Sequence, residues 1–120
     1  MAKYVFPNVE PIRPGYDIEL RLQFPQDLWD GEQIGSGRLV AQFRSAVPGP
    51  VLFEADTETA TLQREAPRTL AFFLSEDATR PMDASTIVVF DIARIDGADR
   101  RIVLDKVIWP VLKTVTRDVE

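Results

Sequence analysis

The run of residues 85–95 constrains the fold of this chain more than any other stretch. It reads S-T-I-V-V-F-D-I-A-R-I and is the longest β-branched and aromatic run in the sequence. Such side chains suit the pleated surface of a strand better than a helix. A nearly continuous apolar run also indicates a strand that is covered on more than one side. The sequence therefore predicts a central strand here, with Phe90 in the middle of the core.

Other segments alternate apolar and polar side chains, as strands with one solvated face do. Residues 17–24 alternate over their whole length and end at Pro25. Residues 38–46 alternate again, and shorter strands are predicted at 51–54, 59–64 and 68–74. The side chains predicted to face inward from the first two of these segments are Ile18, Leu20, Leu22, Phe24, Leu39, Ala41 and Phe43.

The segments between the strands carry turn signals. Residues 27–37 form a predicted turn region, in which Asp30-Gly31 supplies the tight turn. Ser75 is a suitable N-cap for one helical turn over residues 75–80. After the central strand, Asp96-Gly97 predicts a reversal, with residues 102–104 as the hairpin partner. Pro110 then interrupts the strand pattern of 101–117, so that 111–116 forms an edge or switches sheet.

Residues 1–16 are rich in proline. Because proline removes ladder donors and fixes φ, they predict an extended N-terminal arm with at most a short edge strand near residues 4–6. The arm either lies along the domain edge or docks a partner.

Taken together, these elements predict an all-β fold. The pattern is typical of an Ig-like antiparallel β-sandwich of about seven or eight strands with one short helical turn, and a small barrel is the other architecture that it allows. The 120 residues suffice for one core, so residues 1–120 are predicted to form a single domain.

Composition excludes most catalytic chemistry. The chain has no cysteine and no histidine, which removes thiolates, the commonest general base and the commonest zinc ligand. Its net charge of −5 disfavours nucleic acid as a partner. No segment is apolar enough to cross a bilayer, and the first residues lack a signal-peptide pattern, so synthesis in the cytoplasm is expected. We predict no enzymatic activity, no catalytic residue, no cofactor and no dedicated metal site.

Acidic side chains are plentiful, but most fall in predicted turns, where they stabilise the turn and keep edges soluble. A carboxylate pair could serve a glycosidase. The clusters at residues 27–32 and 96–99 could hold a loosely bound calcium ion, although neither has EF-hand spacing. Asp91 is the one acid inside a strongly apolar strand. Since an unpaired buried carboxylate is costly, we predict structural pairing, with Arg68 or Arg94 as the candidate partner.

Aromatic residues outside the predicted core are candidates for binding. Trp29 lies in a predicted loop and Trp109 directly precedes Pro110. Exposed tryptophans anchor interfaces and stack on sugars. In a domain of this size, however, a tryptophan can instead be partly buried and fill space in the core. The candidate interface residues are Tyr4, Phe6, Trp29 and Trp109. The arm and residues 111–116 are the candidate docking surfaces, because unpaired edges recruit neighbouring chains.

A series of short motifs, in order, resembles the small Ig-like β-sandwich proteins of phage and prophage tails, above all the upper-baseplate protein N-terminal domain. The resemblance covers roughly residues 12–117. The matching pieces are Gly15-Tyr16-Asp17, Asp30-Gly31-Glu32, Leu39-Val40-Ala41-Gln42-Phe43-Arg44, Leu74-Ser75-Glu76-Asp77-Ala78-Thr79, Val89-Phe90-Asp91-Ile92, Asp96-Gly97 and Val115-Thr116-Arg117. The chain departs from that family at Asp83-Ala84, where a glycine turn is usual, and at Val88 and Phe90, where tyrosines are usual.

The resemblance implies a non-enzymatic structural or adaptor protein of the virion, assembled in the bacterial cytoplasm. Its partners would be other tail or baseplate proteins, and homo-oligomers are possible. The alternative is a carbohydrate-binding β-sandwich module with Trp29 or Trp109 as stacking platform. A metal- or carboxylate-dependent hydrolase is a third hypothesis, which the missing histidine and cysteine disfavour.

Overall fold

A computed structural model of the protein describes residues 3–5, 11–46, 49–84 and 87–112. The strands are β1 (Lys3–Val5), β2 (Ile18–Gln23), β3 (Arg38–Arg44), β4 (Phe53–Asp56), β5 (Leu62–Glu65), β6 (Thr69–Leu74), β7 (Ile87–Asp96) and β8 (Asp99–Pro110). Two short helices, α1 (Gln26–Gly31) and α2 (Glu76–Thr79), and two 3₁₀ turns, Thr57–Thr59 and Arg80–Ala84, complete the described elements.

The strands form two facing sheets. One has the order β1-β8-β7-β3-β4 and the other the order β2-β6-β5. All pairs are antiparallel except β1 with β8, which run parallel. In chain order, β2 to β8 occupy the positions of strands B, C, C′, D, E, F and G of an immunoglobulin-type sandwich. The predicted all-β sandwich is therefore confirmed.

Three phenylalanines fill the centre between the sheets. Phe43 on β3, Phe72 on β6 and Phe90 on β7 are each at most 1% exposed. The rings of Phe43 and Phe90 stack with centroids 4.3 Å apart, and Phe72 lies 5.3 Å from Phe90. Strand β7 lies inside its sheet, between β8 and β3. Its prediction as the central strand, with Phe90 in the core, is confirmed.

The turn predicted over residues 27–37 is wrong in part, because it contains helix α1. Pro25 precedes the helix in an extended conformation, and its carbonyl accepts a hydrogen bond from the Trp29 N–H (3.0 Å). Leu28 and Trp29 pack against the core, and Ile34 just beyond the helix is fully buried. Packing of these side chains, together with a proline at the helix start, outweighs the turn preference of Asp30-Gly31.

The hairpin partner of β7 is longer than predicted. Strand β8 pairs with β7 along nearly its whole length, not only at residues 102–104. Strand β8 ends at Pro110, as predicted, because proline has no backbone N–H to donate to a neighbouring strand. Residues 113–116 of the predicted final strand lie outside the described residues.

The N-terminal arm is part of the larger sheet where it is described. Lys3–Val5 pairs with β8, in agreement with the short edge strand predicted near residues 4–6. Ile12 is fully buried; its N–H donates to the Pro110 carbonyl (2.9 Å), and its carbonyl accepts from the Leu112 N–H (2.8 Å). Val111 completes a parallel bridge to Ile12. In its described residues, the arm thus lies along the domain edge.

Candidate functional site

Strand β2 presents an edge that the described part of the chain leaves without a neighbour. Among the described residues it pairs with β6 only. The Phe24 N–H donates to the Arg68 carbonyl on the β6 side (2.9 Å). Peptide directions alternate along a strand. The N–H and C=O groups of Glu19, Arg21 and Gln23 therefore point away from β6, toward the open edge.

A shallow, open depression of about 640 Å³ adjoins this edge. Its floor and walls combine apolar and charged side chains. The residues that line it are Asp17, Ile18, Glu19, Arg21, Phe73, Leu74 and Ser75. The depression supplies room beside β2 for side chains of a neighbouring segment.

Arg21 organises the charges on the outer face of this sheet. Its Nη1 donates to Glu19 Oε1 (2.8 Å), and its Nε donates to Glu65 Oε1 (2.9 Å). The guanidinium carbon lies 5.8 Å from the centroid of the Phe73 ring. The hydrogen bond from Arg21 lowers the pKa of Glu65, and the same bond raises the pKa of Arg21. Glu19, Arg21 and Glu65 thus place charges of both signs on the outer face of the sheet, beside the open edge.

One end of the edge is tied to helix α2. Asp17 Oδ1 accepts a hydrogen bond from the Glu76 N–H (2.7 Å). The fully buried Thr79 hydroxyl accepts from the Gly15 N–H (3.0 Å) and lies 2.9 Å from the Tyr16 carbonyl, to which it donates. Ser75 caps the helix through the Ala78 N–H, as predicted. These bonds fix the turn from which β2 starts.

At the opposite end of the sandwich, three arginines hold the loop between α1 and β3. Arg94 donates to the carbonyls of Gln33 (2.7 Å) and Ser36 (2.6 Å). Arg64 donates to the Ile34 carbonyl (2.8 Å), and Arg101 to the Glu32 carboxylate (2.6 Å).

Burial lowers the pKa of Arg64, and the nearby Arg94 charge adds to this effect. These arginines act as anchors of a loop whose carbonyls would otherwise lack donors.

A β-bulge places Asp91 opposite two residues of β8. Between the pairs Phe90–Val107 and Ile92–Leu104, Asp91 faces both Asp105 and Lys106, and Lys106 has φ of 52°. A cavity of about 90 Å³ adjoins this bulge. Asp91 Oδ1 is buried and accepts no hydrogen bond from the described residues; Arg100 Nη2 is 3.8 Å away.

The partners predicted for Asp91 are therefore wrong. Arg68 donates to the Phe24 carbonyl (2.9 Å), and Arg94 pairs with Asp96 (3.1 Å). The cation closest to Asp91 in the described ion pairs is Arg100 on β8, which pairs with Ile95 in the hairpin and reaches Asp91 along the same face.

Of the four predicted interface residues, the structure describes the side chains of Trp29 and Trp109. Tyr4 belongs to β1, and Phe6 lies outside the described residues. Trp29 is half-buried on α1, with its ring centroid 5.9 Å from that of Phe24. Trp109 is 2% exposed and packs in the core, so its side chain offers almost no surface to a partner.

The acidic clusters considered for calcium are engaged in other contacts. Asp27 Oδ1 accepts from the Leu28 N–H, Glu32 pairs with Arg101, and Asp96 pairs with Arg94. Within the described residues, no group of three or more His, Cys, Asp or Glu side chains is placed to hold a metal ion.

Asp56 and Arg38 form an ion pair whose contribution to the stability of the domain depends on pH. Its carboxylate, 9% exposed, accepts two hydrogen bonds from Arg38 (3.2 and 2.7 Å) and one from the Glu58 N–H (2.9 Å). The Arg38 bonds lower the pKa of Asp56, with a smaller contribution from the Glu58 N–H. This contribution to stability is present above the unfolded-state pKa of about 3.9 and is lost as the pH falls through the lower folded-state value.

We expect Asp56→Asn to reduce the unfolding free energy at pH 7 by about 2 kcal/mol, because it removes the charge-assisted pair with Arg38. The difference from the wild type should shrink as the pH falls below about 4. Urea titrations at a series of pH values measure both quantities. An equal difference at pH 7 and at the lowest pH would contradict this assignment.

No helix among the described residues is both long and apolar enough to span a membrane. Comparison of the chain with protein-family models, with curated proteins and with solved structures finds no significant match.

Proposed function

We propose that this protein is a non-enzymatic structural or adaptor component of a phage or prophage tail or baseplate, which binds other proteins through an open sheet edge. One observation carries the binding role: the outward peptide groups of Glu19, Arg21 and Gln23 have no partner among the described residues, and an open depression adjoins them. The sequence motifs that resemble baseplate sandwich domains supply the assignment to a tail.

An edge of this kind binds by strand addition. An extended segment of a neighbouring protein pairs its main chain with β2, which provides affinity, while alternate side chains enter the depression and provide specificity. The depression is lined by the acidic Asp17 and Glu19 together with Arg21, whose charge is already shared between Glu19 and Glu65. A segment that places a basic side chain opposite Glu19 would complement this carboxylate.

The carbohydrate-binding alternative gains no support from the two tryptophans predicted as its stacking platform. A stacking platform needs an exposed aromatic face. Trp109 is buried, and Trp29 is half-buried against Phe24.

The experiment replaces Glu19 with proline. The Glu19 N–H points to the open edge, so proline there leaves the pairing with β6 intact while blocking a strand on the other side. Glu19→Ala is the matched control, because it removes the same side chain and keeps the N–H. Particles are purified from cells that carry each version of the gene, and this chain is quantified in the tails by mass spectrometry.

We expect the wild type to co-purify with the tails and Glu19→Ala to be retained in part, because it loses the side-chain charge and keeps the backbone donor. Glu19→Pro should fall at least about tenfold below Glu19→Ala while the isolated protein remains folded. A wild-type chain absent from purified particles would refute the tail assignment. Equal incorporation of Glu19→Pro would show that β2 is not the binding edge.

A further inference from the structure

We infer that β2 pairs with the β2 strand of a second copy of this chain, antiparallel and about a two-fold axis at Leu20. The two three-stranded sheets then join into one continuous sheet. This inference rests on the proposed role of β2 as a binding edge and names its partner. The argument comes from the order of charges along the strand.

Facing side chains are complementary when Leu20 lies opposite Leu20 of the second copy. Glu19 then lies opposite Arg21, and Arg21 opposite Glu19. The Glu19–Arg21 ion pair that already exists within each copy (2.8 Å) is thereby extended into a cluster of four charges that alternate in sign across the axis. On the core side, Ile18 lies opposite Leu22. These three core-side residues are already buried or half-buried in one copy. The pairing therefore extends both the charged row and the apolar row across the axis.

Neighbouring registers are less complementary. Shifts that keep every side chain on its own face move the axis by one residue along the strand. With the axis at Glu19, the two Glu19 carboxylates face each other, and each Arg21 faces an Asp17 whose carboxylate already accepts a hydrogen bond from the Glu76 N–H. With the axis at Arg21, the two guanidinium groups do. Like charges directly opposite are destabilising, so the sequence favours the register centred on Leu20.

Backbone hydrogen bonding fits the same register. The residues whose peptide groups point to the open edge are Glu19, Arg21 and Gln23, and in this register Glu19 and Arg21 are directly opposite each other. Each can exchange its N–H and C=O with the facing residue, as hydrogen-bonded antiparallel pairs do. Gln23 lies opposite Asp17, and Pro25, which has no N–H, ends the ladder just beyond.

The other described edge strands of the sandwich fit a second copy less well. β4 and β5 have four residues each, against six in β2. Arg64 on β5 is committed to the carbonyls of Ile34 and Gly37. In the larger sheet, β1 has only three residues. β2 offers the longest ladder of the four edges.

The test exchanges the charges one at a time. Glu19→Arg puts arginine at both positions 19 and 21, and Arg21→Glu puts glutamate at both. In a dimer of either variant alone, the side chains that face each other across the axis therefore carry the same charge. A mixture of the two variants restores both opposite-charge pairs. The association of the wild type, of each variant and of their equimolar mixture is measured by sedimentation equilibrium at low salt, from about 1 µM to about 1 mM protein.

We expect a wild-type dimer, a dissociation constant at least about tenfold higher for each variant alone, and a heterodimer in the mixture with an affinity close to that of the wild type. Rescue in the mixture also shows that both variants are folded. Amide hydrogen exchange gives the register: the N–H groups of Glu19 and Arg21 should become protected as the dimer forms, while that of Leu20, which faces β6, is protected throughout.

Either of two results would overturn the dimer. One is a monomeric wild type over the whole concentration range, and the other is a dimer that both variants form as tightly as the wild type. In either case, loss of Glu19→Pro from tail particles would still show that β2 binds a different protein, so the two proposals fail separately.

Discussion

Replacing Phe90 with alanine should lower the free energy of unfolding by about 3–5 kcal/mol, the largest effect expected of a single substitution in this chain. Phe90 is 1% exposed and contacts the rings of both Phe43 and Phe72. Its removal leaves a cavity between the sheets where the surrounding strands are held by ladders on either side, so the site can collapse only in part. Urea denaturation monitored by circular dichroism gives the value.

Phe73→Ala is the matched control for Phe90→Ala. Phe73 follows Phe72 on β6 but points to the outer face, where it is half-buried beneath Arg21. We expect a loss of about 1 kcal/mol for this variant. Similar losses for Phe73→Ala and Phe90→Ala would mean that the three-ring cluster is not the centre of the core.

Thr79→Val should cost about 2–3 kcal/mol although it changes the side-chain volume very little. The Thr79 hydroxyl is fully buried and bonds both the Gly15 N–H and the Tyr16 carbonyl. Valine leaves these two backbone groups without their partner, and a buried unsatisfied group costs more than a hydrogen bond gains.

Thr79→Ser keeps the hydroxyl and loses only a methyl group, so it separates hydrogen bonding from packing. We expect it to retain most of the stability that valine loses. Thermal and urea melts of the three proteins provide the comparison. A valine variant as stable as the wild type would show that water or another group replaces the hydroxyl.

Period-two patterns predicted the strands that have one solvated face. The segment 17–24 contains β2, and 38–46 contains β3, because an apolar side chain at every second position can be buried only in a strand. Ser75 marked the start of α2 correctly, since an N-cap depends on local bonds. These features are encoded within a few residues.

Features that depend on distant contacts were not predictable in the same way. Helix α1 has only six residues, too few for a helical period, and its side chains pack on a core built from other strands. The parallel pairing of β1 with β8 joins residues about a hundred positions apart. The contact between Asp91 and Arg100 depends on the register of β7 against β8 and on a long side chain that reaches along the sheet, which local sequence does not reveal.

The sequence predicted the kind of surface that forms the candidate site, but not its location. The sequence indicated that unpaired edges would be the binding surfaces, but it placed them on the arm and on residues 111–116. The arm pairs with β8 where it is described, and β2 then has no second neighbour among the described strands. Strand order decides which edge is free, and a single strand's pattern does not reveal its neighbours.

The parallel pairing of β1 with β8 also bears on how the domain responds to tension. A force that pulls on the segments before Lys3 and after Leu112 acts along these two strands in opposite directions. Their hydrogen bonds, and the bridge between Ile12 and Val111, are then loaded together in shear instead of being opened one by one. Forced unfolding is governed by the rate of crossing that barrier. The geometry suits a domain that remains folded while neighbouring parts of an assembly pull on it from both ends.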